Sequence, residues 1–270
     1  MSFYEKLEIA WRRRHSLVSV GLDPDMDRLP AFLRSIPNPI FAFNRSIIDA
    51  TADLVCAFKP QFAFYAGQGA EDQLQMTTKY LREHHPEIPI ILDAKRGDID
   101  NTAQMYAREA FDRYGVDAVT VNPYMGGDTL QPFLERKDRG TVIVCRTSNP
   151  GAIDIQDLEC GGEKLYAIVA QKAAQDWNGN GNVALVVGAT FPEQLKKVRN
   201  IVGEMPILVP GVGSQGGDVE AAVRAGLTPS GAGIIVNASR SIIYASDGEN
   251  FAEAAREAAN SLRETINSFR

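Results

Sequence analysis

Short runs of apolar, often β-branched residues recur along the chain. They alternate with segments whose apolar positions fall three or four apart. The runs Leu17–Asp23, Ala57–Phe62, Pro89–Lys95, Ala118–Asn122, Thr141–Thr147, Val183–Ala189, Ile207–Val212 and Gly233–Ala238 read as strands. Most are too apolar to carry a solvent face, as parallel strands covered on both sides should be. Three helical stripes stand out. Ile40–Leu54 carries Ile40, Phe43, Ile47 and Leu54; Thr102–Tyr114 carries Met105, Ala110 and Phe111; Phe251–Phe269 carries Phe251, Ala255, Leu262 and Ile266, with charges opposite. The opening MSFYEKLEIAWRRRHS lacks the apolar core of a leader and reads as a short amphipathic helix. The connection from Ser148 to Asn182 reads as a long βα loop with one helix inside it.

Strand–helix alternation implies parallel strands joined by right-handed crossovers. About eight such repeats in 270 residues favour an α/β fold of the (β/α)8 TIM-barrel type. The barrel forms a single domain over residues 1–270, with the short helix at its N-terminus. A doubly wound open sheet is the alternative. No linker, low-complexity stretch or charge block marks a second domain.

Composition narrows the partners. A net charge of −6 argues against a nucleic-acid or anionic-membrane surface, while leaving room for a locally positive pocket. No apolar stretch approaches the roughly 20 residues that span a bilayer. Cys56, Cys145 and Cys160 form no CxxC pair and are odd in number, which suits no closed disulfide framework; Cys56 and Cys145 sit in apolar runs as small core residues. These features predict a cytoplasmic protein.

Polar residues gather where the strands end. The runs close on Gly21-Leu22-Asp23-Pro24, Phe58-Lys59-Pro60, Asp93-Ala94-Lys95, Thr147-Ser148-Asn149-Pro150-Gly151, PGVGSQGGD at 210–218, and Asn237-Ala238-Ser239-Arg240. In a parallel barrel these ends meet on one face, where sites are built. Asp93 and Lys95 are two apart on a strand and should point to one side. With Lys59 and Asp98 they make an alternating array of two positive and two negative charges. Spacing alone reads equally well as a structural ion-pair network closing the barrel top. His15, His84 and His85 fall at no strand end, so they predict surface histidines rather than a metal site or a triad. Gly126 and Gly127, in NPYMGGDT, predict a tight turn that shapes the chain without chemistry.

The segment GVGSQG formally matches G-x-G-x-x-G between a strand and a helix. A dinucleotide fold also wants an acidic residue ending the next strand, and SGAGIIVNASR has none. A phosphate cup fits better than a plain glycine turn. Glycines let backbone N–H groups approach an anion, the following helix adds its positive end, and Arg240 can donate twice.

Together these residues resemble the orotidine 5′-phosphate decarboxylase family. DAKRGDI at 93–99 matches its D-x-K-x-x-D motif, in the form of its longer bacterial branch. GLDPD at 21–25, FKPQ at 58–61, TSNPG at 147–151, PGVGSQGGD at 210–218 and NASR at 237–240 extend the match over nearly the whole chain. The resemblance implies cofactor-free, metal-free decarboxylation of orotidine 5′-monophosphate to UMP in pyrimidine synthesis. It makes Lys95 the proton donor to C6, places Asp93 where the substrate carboxylate departs, and adds Lys59 and Asp98 to the charge array. Asp23 and Lys59 would hold ribose hydroxyls, Ser148 the pyrimidine edge, and Gln215, Gly216 and Arg240 the phosphate. It also implies a homodimer in which Asp98 and Thr102 reach the neighbouring subunit's site. Asp100-Asn101 departs from compact members, which carry a proline there, and Ser214 stands where alanine is common.

Three rivals share parts of this pattern. A metal-dependent decarboxylase or aldolase acting on a sugar phosphate also uses D-x-K-x-x-D, but needs a carboxylate where Lys59 stands. A non-catalytic barrel could bind a phosphate ligand beside a structural charge network. A nicotinamide enzyme is weakened by the missing acid.

Overall fold

The computed structural model describes residues 1–212 and 218–270. Among these, eight parallel strands form one barrel: β1 (Val18–Leu22), β2 (Ala57–Pro60), β3 (Ile91–Arg96), β4 (Ala118–Val121), β5 (Gly140–Arg146), β6 (Val183–Val187), β7 (Ile207–Pro210) and β8 (Ile234–Ala238). Each pairs with its neighbours in chain order, and β1 pairs with β8. Parallel bridges Phe58↔Ile90 and Gln61↔Asp93 join β2 to β3 and close the ring. All eight predicted strands are present. Their sequences, such as VALVV in β6, are buried throughout because helices cover the outside and side chains fill the inside.

The N-terminal helix, Phe3–Arg13, begins at a capping box in which Ser2 and Glu5 bond each other's backbone N–H groups. Its apolar face, Phe3, Leu7, Ala10 and Trp11, is buried against the barrel end where the strands start. Phe3 packs on Gly140, where any Cβ would strike its ring, and the Tyr4 hydroxyl donates to the Val183 carbonyl. Each large side chain buried in this way contributes about 1.5–3 kcal/mol. Among the described residues no helix is long and apolar enough to cross a membrane. Cys56 and Cys145 are buried, whereas His15 and His84 are exposed and His85 is partly so.

One helical stripe and one loop differ from expectation. The helix after β3 runs as Asp100–Arg108 and then widens into a π-turn, Glu109–Arg113. Its buried stripe is Ala103, Ala107, Ala110 and Phe111, and Met105 is 58% exposed instead of lying on that stripe. The connection after β5 also holds more than a loop and a helix. A one-turn segment, Pro150–Asp154, leads to a small antiparallel hairpin pairing Glu159–Cys160 with Glu163–Lys164. Gly161 and Gly162 turn that hairpin with φ of 65° and 88°, the left-handed pair that a two-residue hairpin turn requires.

The chain after β1 is fixed from outside the barrel. Phe43, on helix Pro39–Thr51, stacks on Tyr244 and on Phe251 at centroid distances of 5.8 and 5.2 Å. The Tyr244 hydroxyl accepts from Asp25 N–H at 2.7 Å and donates to the Asp23 carbonyl at 3.3 Å. Core packing is thereby transmitted to Asp23, the residue that follows β1.

Candidate active site

The C-terminal ends of the strands surround a cavity of about 510 Å³, within the range of small-molecule sites. One end is lined by Asp23, Lys59, Gln61, Asp93 and Lys95; the other by Pro210, Gly211, Asn237, Ser239 and Arg240. Ser148 lies on the wall between neighbouring strands, together with Thr147 and Asn149. Two other hollows lack such convergence. One, of about 1140 Å³, lies among Arg13, Arg14 and Arg263 near the N-terminal helix, with Arg14 already paired to Glu87 at 2.6 Å. The other, of about 650 Å³, is a mainly apolar cleft beside Tyr166 and Trp177.

Asp93 is the centre of the charged end. Its Oδ1 accepts from Lys95 Nζ at 2.6 Å and from Thr120 Oγ1 at 2.8 Å. Its Oδ2 accepts from Lys59 Nζ and from Gln61 Nε2, both at 3.0 Å. Burial alone would raise the Asp93 pKa. The ammonium groups of Lys59 and Lys95 overcome it and hold the carboxylate well below its usual range. Lys59 is 3% exposed, with Asp23 Oδ1 at 3.8 Å on its other side. Burial would lower its pKa, but Asp23 and Asp93 more than compensate and raise it. The line Asp23–Lys59–Asp93–Lys95 therefore alternates in sign within one chain.

Lys95 differs from Lys59 in exposure. Its side chain is 45% accessible and opens onto the cavity, while its Nζ stays on Asp93. Strict strand alternation does not bring the two together. The β3–β4 register runs Ile91↔Ala118 and Leu92↔Val119, then jumps to Arg96↔Val121. Residues 93–95 bulge out of the ladder, and Lys95 sits at φ +46°. A left-handed conformation costs a non-glycine residue about 1–2 kcal/mol, and such strain gathers at functional positions. Arg96 anchors the far side of the bulge. Its guanidinium bonds both Glu109 oxygens at 2.9 and 3.0 Å and lies over the rings of Phe62 and Tyr106.

Asp98 and Thr102 stand apart from this cavity. Asp98 Oδ1 accepts from the Ile99 N–H at 2.8 Å, and Asp98 forms no ion pair among the described residues. Thr102 is exposed near the start of helix Asp100–Arg108, where Asp100 adopts φ +47°. Within one chain, Asp23 rather than Asp98 supplies the second acid of the array.

Ser148 is set by its surroundings. A Cβ on Gly188, just past β6, would lie 2.8 Å from Ser148 N and 2.9 Å from its Cα, so glycine permits this approach. Buried Arg146 bonds both oxygens of Asp157 at 2.9 and 3.0 Å and lies 4.2 Å over the Phe191 ring. Gln156 Oε1 accepts from Thr147 N–H at 2.7 Å. These contacts tie the end of β5 and the start of the TSNPG segment to Gln156 and Asp157 and give Phe191 a role that its sequence position does not suggest. At the cavity's other end, Arg240 is exposed at the start of helix Arg240–Ile243, and its guanidinium has no hydrogen-bond or ion-pair partner among the described residues. Gln215 and Gly216 lie outside the described residues.

The structure therefore brings together Asp23, Lys59, Asp93, Lys95, Ser148 and Arg240. Gln61, Thr120 and Ser239 carry no role from sequence alone. Gln61 follows Lys59 by two, the spacing that places both on one face of a strand. Thr120 is the lone hydroxyl in the apolar run AVTV, and such a group needs a buried partner.

Comparison with known proteins agrees with this architecture. A sequence model of the orotidine 5′-phosphate decarboxylase / HUMPS family matches residues 16–255. Orotidine 5′-phosphate decarboxylase of Ralstonia pickettii is 57% identical over 270 residues, covering all of both chains. That of an Azoarcus species is 56% identical, again with full coverage of both chains. Among solved structures, Leishmania donovani OMP decarboxylase superposes with a TM-score of 0.84 at 38% identity, covering 98% of this chain and all of that one. Leishmania donovani UMP synthase gives 0.88 at 40% identity; all of this chain matches 56% of that longer chain. On the matched family, the full-length relatives and the shared barrel, the chain belongs to the orotidine 5′-phosphate decarboxylase / HUMPS family.

Proposed function

We propose that the enzyme decarboxylates orotidine 5′-monophosphate to UMP without a cofactor, and that Lys95 supplies the proton. The bond from C6 to the carboxylate breaks, CO2 leaves, and the electron pair stays on C6. No ring π-system spreads that charge. An ammonium fixed beside the carbon stabilises it and then transfers one N–H proton to C6, after which solvent reprotonates the amine. The observation that carries this reading is the Lys95 ammonium, open to the cavity yet held 2.6 Å from a carboxylate that stays ionised.

The remaining residues divide into binding roles. Asp23 Oδ1 is buried without a hydrogen-bond donor among the described residues, so it suits a ribose hydroxyl, with Lys59 alongside. Ser148 meets the pyrimidine edge. Arg240, exposed at the cavity's end, takes the phosphate with Gln215 and Gly216 of the glycine-rich segment. Phosphate binding energy, remote from C6, then favours the transition state rather than only the ground state.

Asp98 and Thr102 act in the neighbouring subunit's site of a homodimer. Support comes from their absence from the lining of their own chain's cavity and from the apolar surface nearby. Ile99, Met105, Tyr124 and Met125, on the segments that follow β3 and β4, are 52, 58, 79 and 45% exposed. Large exposed apolar groups beside polar ones are the usual make-up of an interface.

Purified protein should consume orotidine 5′-monophosphate in the presence of EDTA, read as falling pyrimidine absorbance. No turnover by a folded sample would refute the reading. Activity abolished by the chelator would favour a metal-dependent enzyme acting on a sugar phosphate.

A further inference from the structure

We infer that Thr120, on β4, is a positioning residue that sets both the Asp93 carboxylate and the Lys95 backbone for the reaction. The inference rests on the function proposed above. Thr120 lies behind the site: it is fully buried and does not line the cavity. Its hydroxyl has one proton to give and two lone pairs to receive, and all three are used. The proton goes to Asp93 Oδ1 at 2.8 Å; the lone pairs accept the N–H groups of Ala94 at 3.0 Å and Lys95 at 2.9 Å.

The backbone explains why a side chain takes this place. Between Leu92 and Arg96 the β3 strand advances four residues while β4, from Val119 to Val121, advances two. Three residues, 93–95, therefore stand opposite Thr120 alone. The amides of Ala94 and Lys95 have lost their strand partners, and a buried N–H without an acceptor is costly. One hydroxyl replaces the missing ladder and holds Lys95 at φ +46°, the conformation that brings its ammonium back onto Asp93. The same hydroxyl fixes the Asp93 oxygen to which Lys95 is bonded. Lys95 is thus placed from both ends, its amide and its Nζ, through a single atom of a residue that never meets substrate.

Thr120→Val keeps shape and volume but removes all three hydrogen bonds. Displacement of a reacting group by about an ångström can cost about 100-fold in rate. We expect kcat for orotidine 5′-monophosphate to fall about 10- to 100-fold. The affinity for UMP should stay within about threefold, because the binding contacts of Asp23, Ser148 and Arg240 are untouched. The acid limb of the rate profile should move to higher pH, because Asp93 has lost a donor. Thr120→Ser, which restores the hydroxyl without the methyl, should recover most of kcat. A Thr120→Val enzyme with wild-type kcat would overturn the inference, as would a serine variant no better than the valine one. If the valine variant does not fold, Thr120→Cys replaces it: similar in size to serine but a feeble acceptor, it should be impaired where serine is not, and equal activity overturns the inference. Wild-type turnover is measured alongside. Its absence would overturn the proposed function as well, whereas its presence with an unimpaired valine variant overturns this inference alone.

Discussion

Replacing Lys59 with methionine keeps most of the side-chain volume but removes the ammonium that lies 3.0 Å from Asp93 and 3.8 Å from Asp23. At an effective dielectric of about 20 those distances correspond to gross attractions of about 5.5 and about 4.4 kcal/mol. Much of that is offset by the cost of taking three charges out of water. What the variant exposes is the remainder: two carboxylates, one of them deeply buried, without the cation between them. Breaking a buried pair in this way typically destabilises by about 3–5 kcal/mol. Asp93 keeps Lys95, Gln61 and Thr120, so we expect a loss near the lower end, about 3 kcal/mol. Urea unfolding followed by circular dichroism measures it. The pH dependence gives a second check. The folded pKa of Asp93 is depressed, so its contribution is present above the unfolded value of about 3.9 and is lost as the pH falls through the folded one. The folded pKa of Lys59 is raised, so its contribution is present below about 10.4 and is lost only above that. The stability gap between wild type and variant should therefore be flat from about pH 5 to about pH 9 and narrow below about pH 4. A variant within about 1 kcal/mol of wild type at pH 7 would refute the claim that the array is a strongly coupled buried network.

Three further outcomes concern the cavity walls and the segment after β3. Gly188→Ala should push the Ser148 backbone, which a new Cβ would approach to 2.8 Å; KM should rise about tenfold or more in steady-state kinetics and stability should fall by about 1–3 kcal/mol. Arg240→Ala should weaken UMP binding by calorimetry about 10- to 100-fold, the worth of a charge-assisted hydrogen bond or two, while stability changes by no more than about 0.5 kcal/mol, because the side chain is exposed. Asp98→Ala and Lys95→Ala chains, each nearly inactive, should regain activity when mixed and allowed to exchange subunits; heterodimers that form and stay inactive would exclude a shared site.

The strands were legible because a parallel barrel buries both faces of each one, and runs such as VALVV and IIVNA admit few other readings. Their polar endings were legible for the same reason: charge is conspicuous at the end of an apolar run. Departures from periodicity were hidden. Alternation predicted that Asp93 and Lys95 share a side, and they do meet, but through a bulge and a left-handed lysine. Met105 is misplaced for a simpler reason: it stands five and six residues before Ala110 and Phe111, about 140° and about 120° away at 100° per residue, whereas the buried Ala103, Ala107, Ala110 and Phe111 keep the i, i+4, i+7, i+8 spacing of one helical face. The hairpin was signalled by Gly161-Gly162 but lacked the apolar alternation that marks a strand. Thr120 was invisible as a site residue because its partners lie 25–27 positions away in sequence and become neighbours only when β3 and β4 pair.

The claim at the centre of this account is that the Lys95 ammonium delivers the proton to C6. Its most direct test is single turnover of orotidine 5′-monophosphate by Lys95→Met beside wild type, with UMP binding measured to confirm an intact cavity. Pyrimidine absorbance should fall at least about 1000-fold more slowly in the variant, the combined worth of a removed acid and a removed stabilising charge. A folded, UMP-binding Lys95→Met enzyme that turns over at the wild-type rate would contradict it.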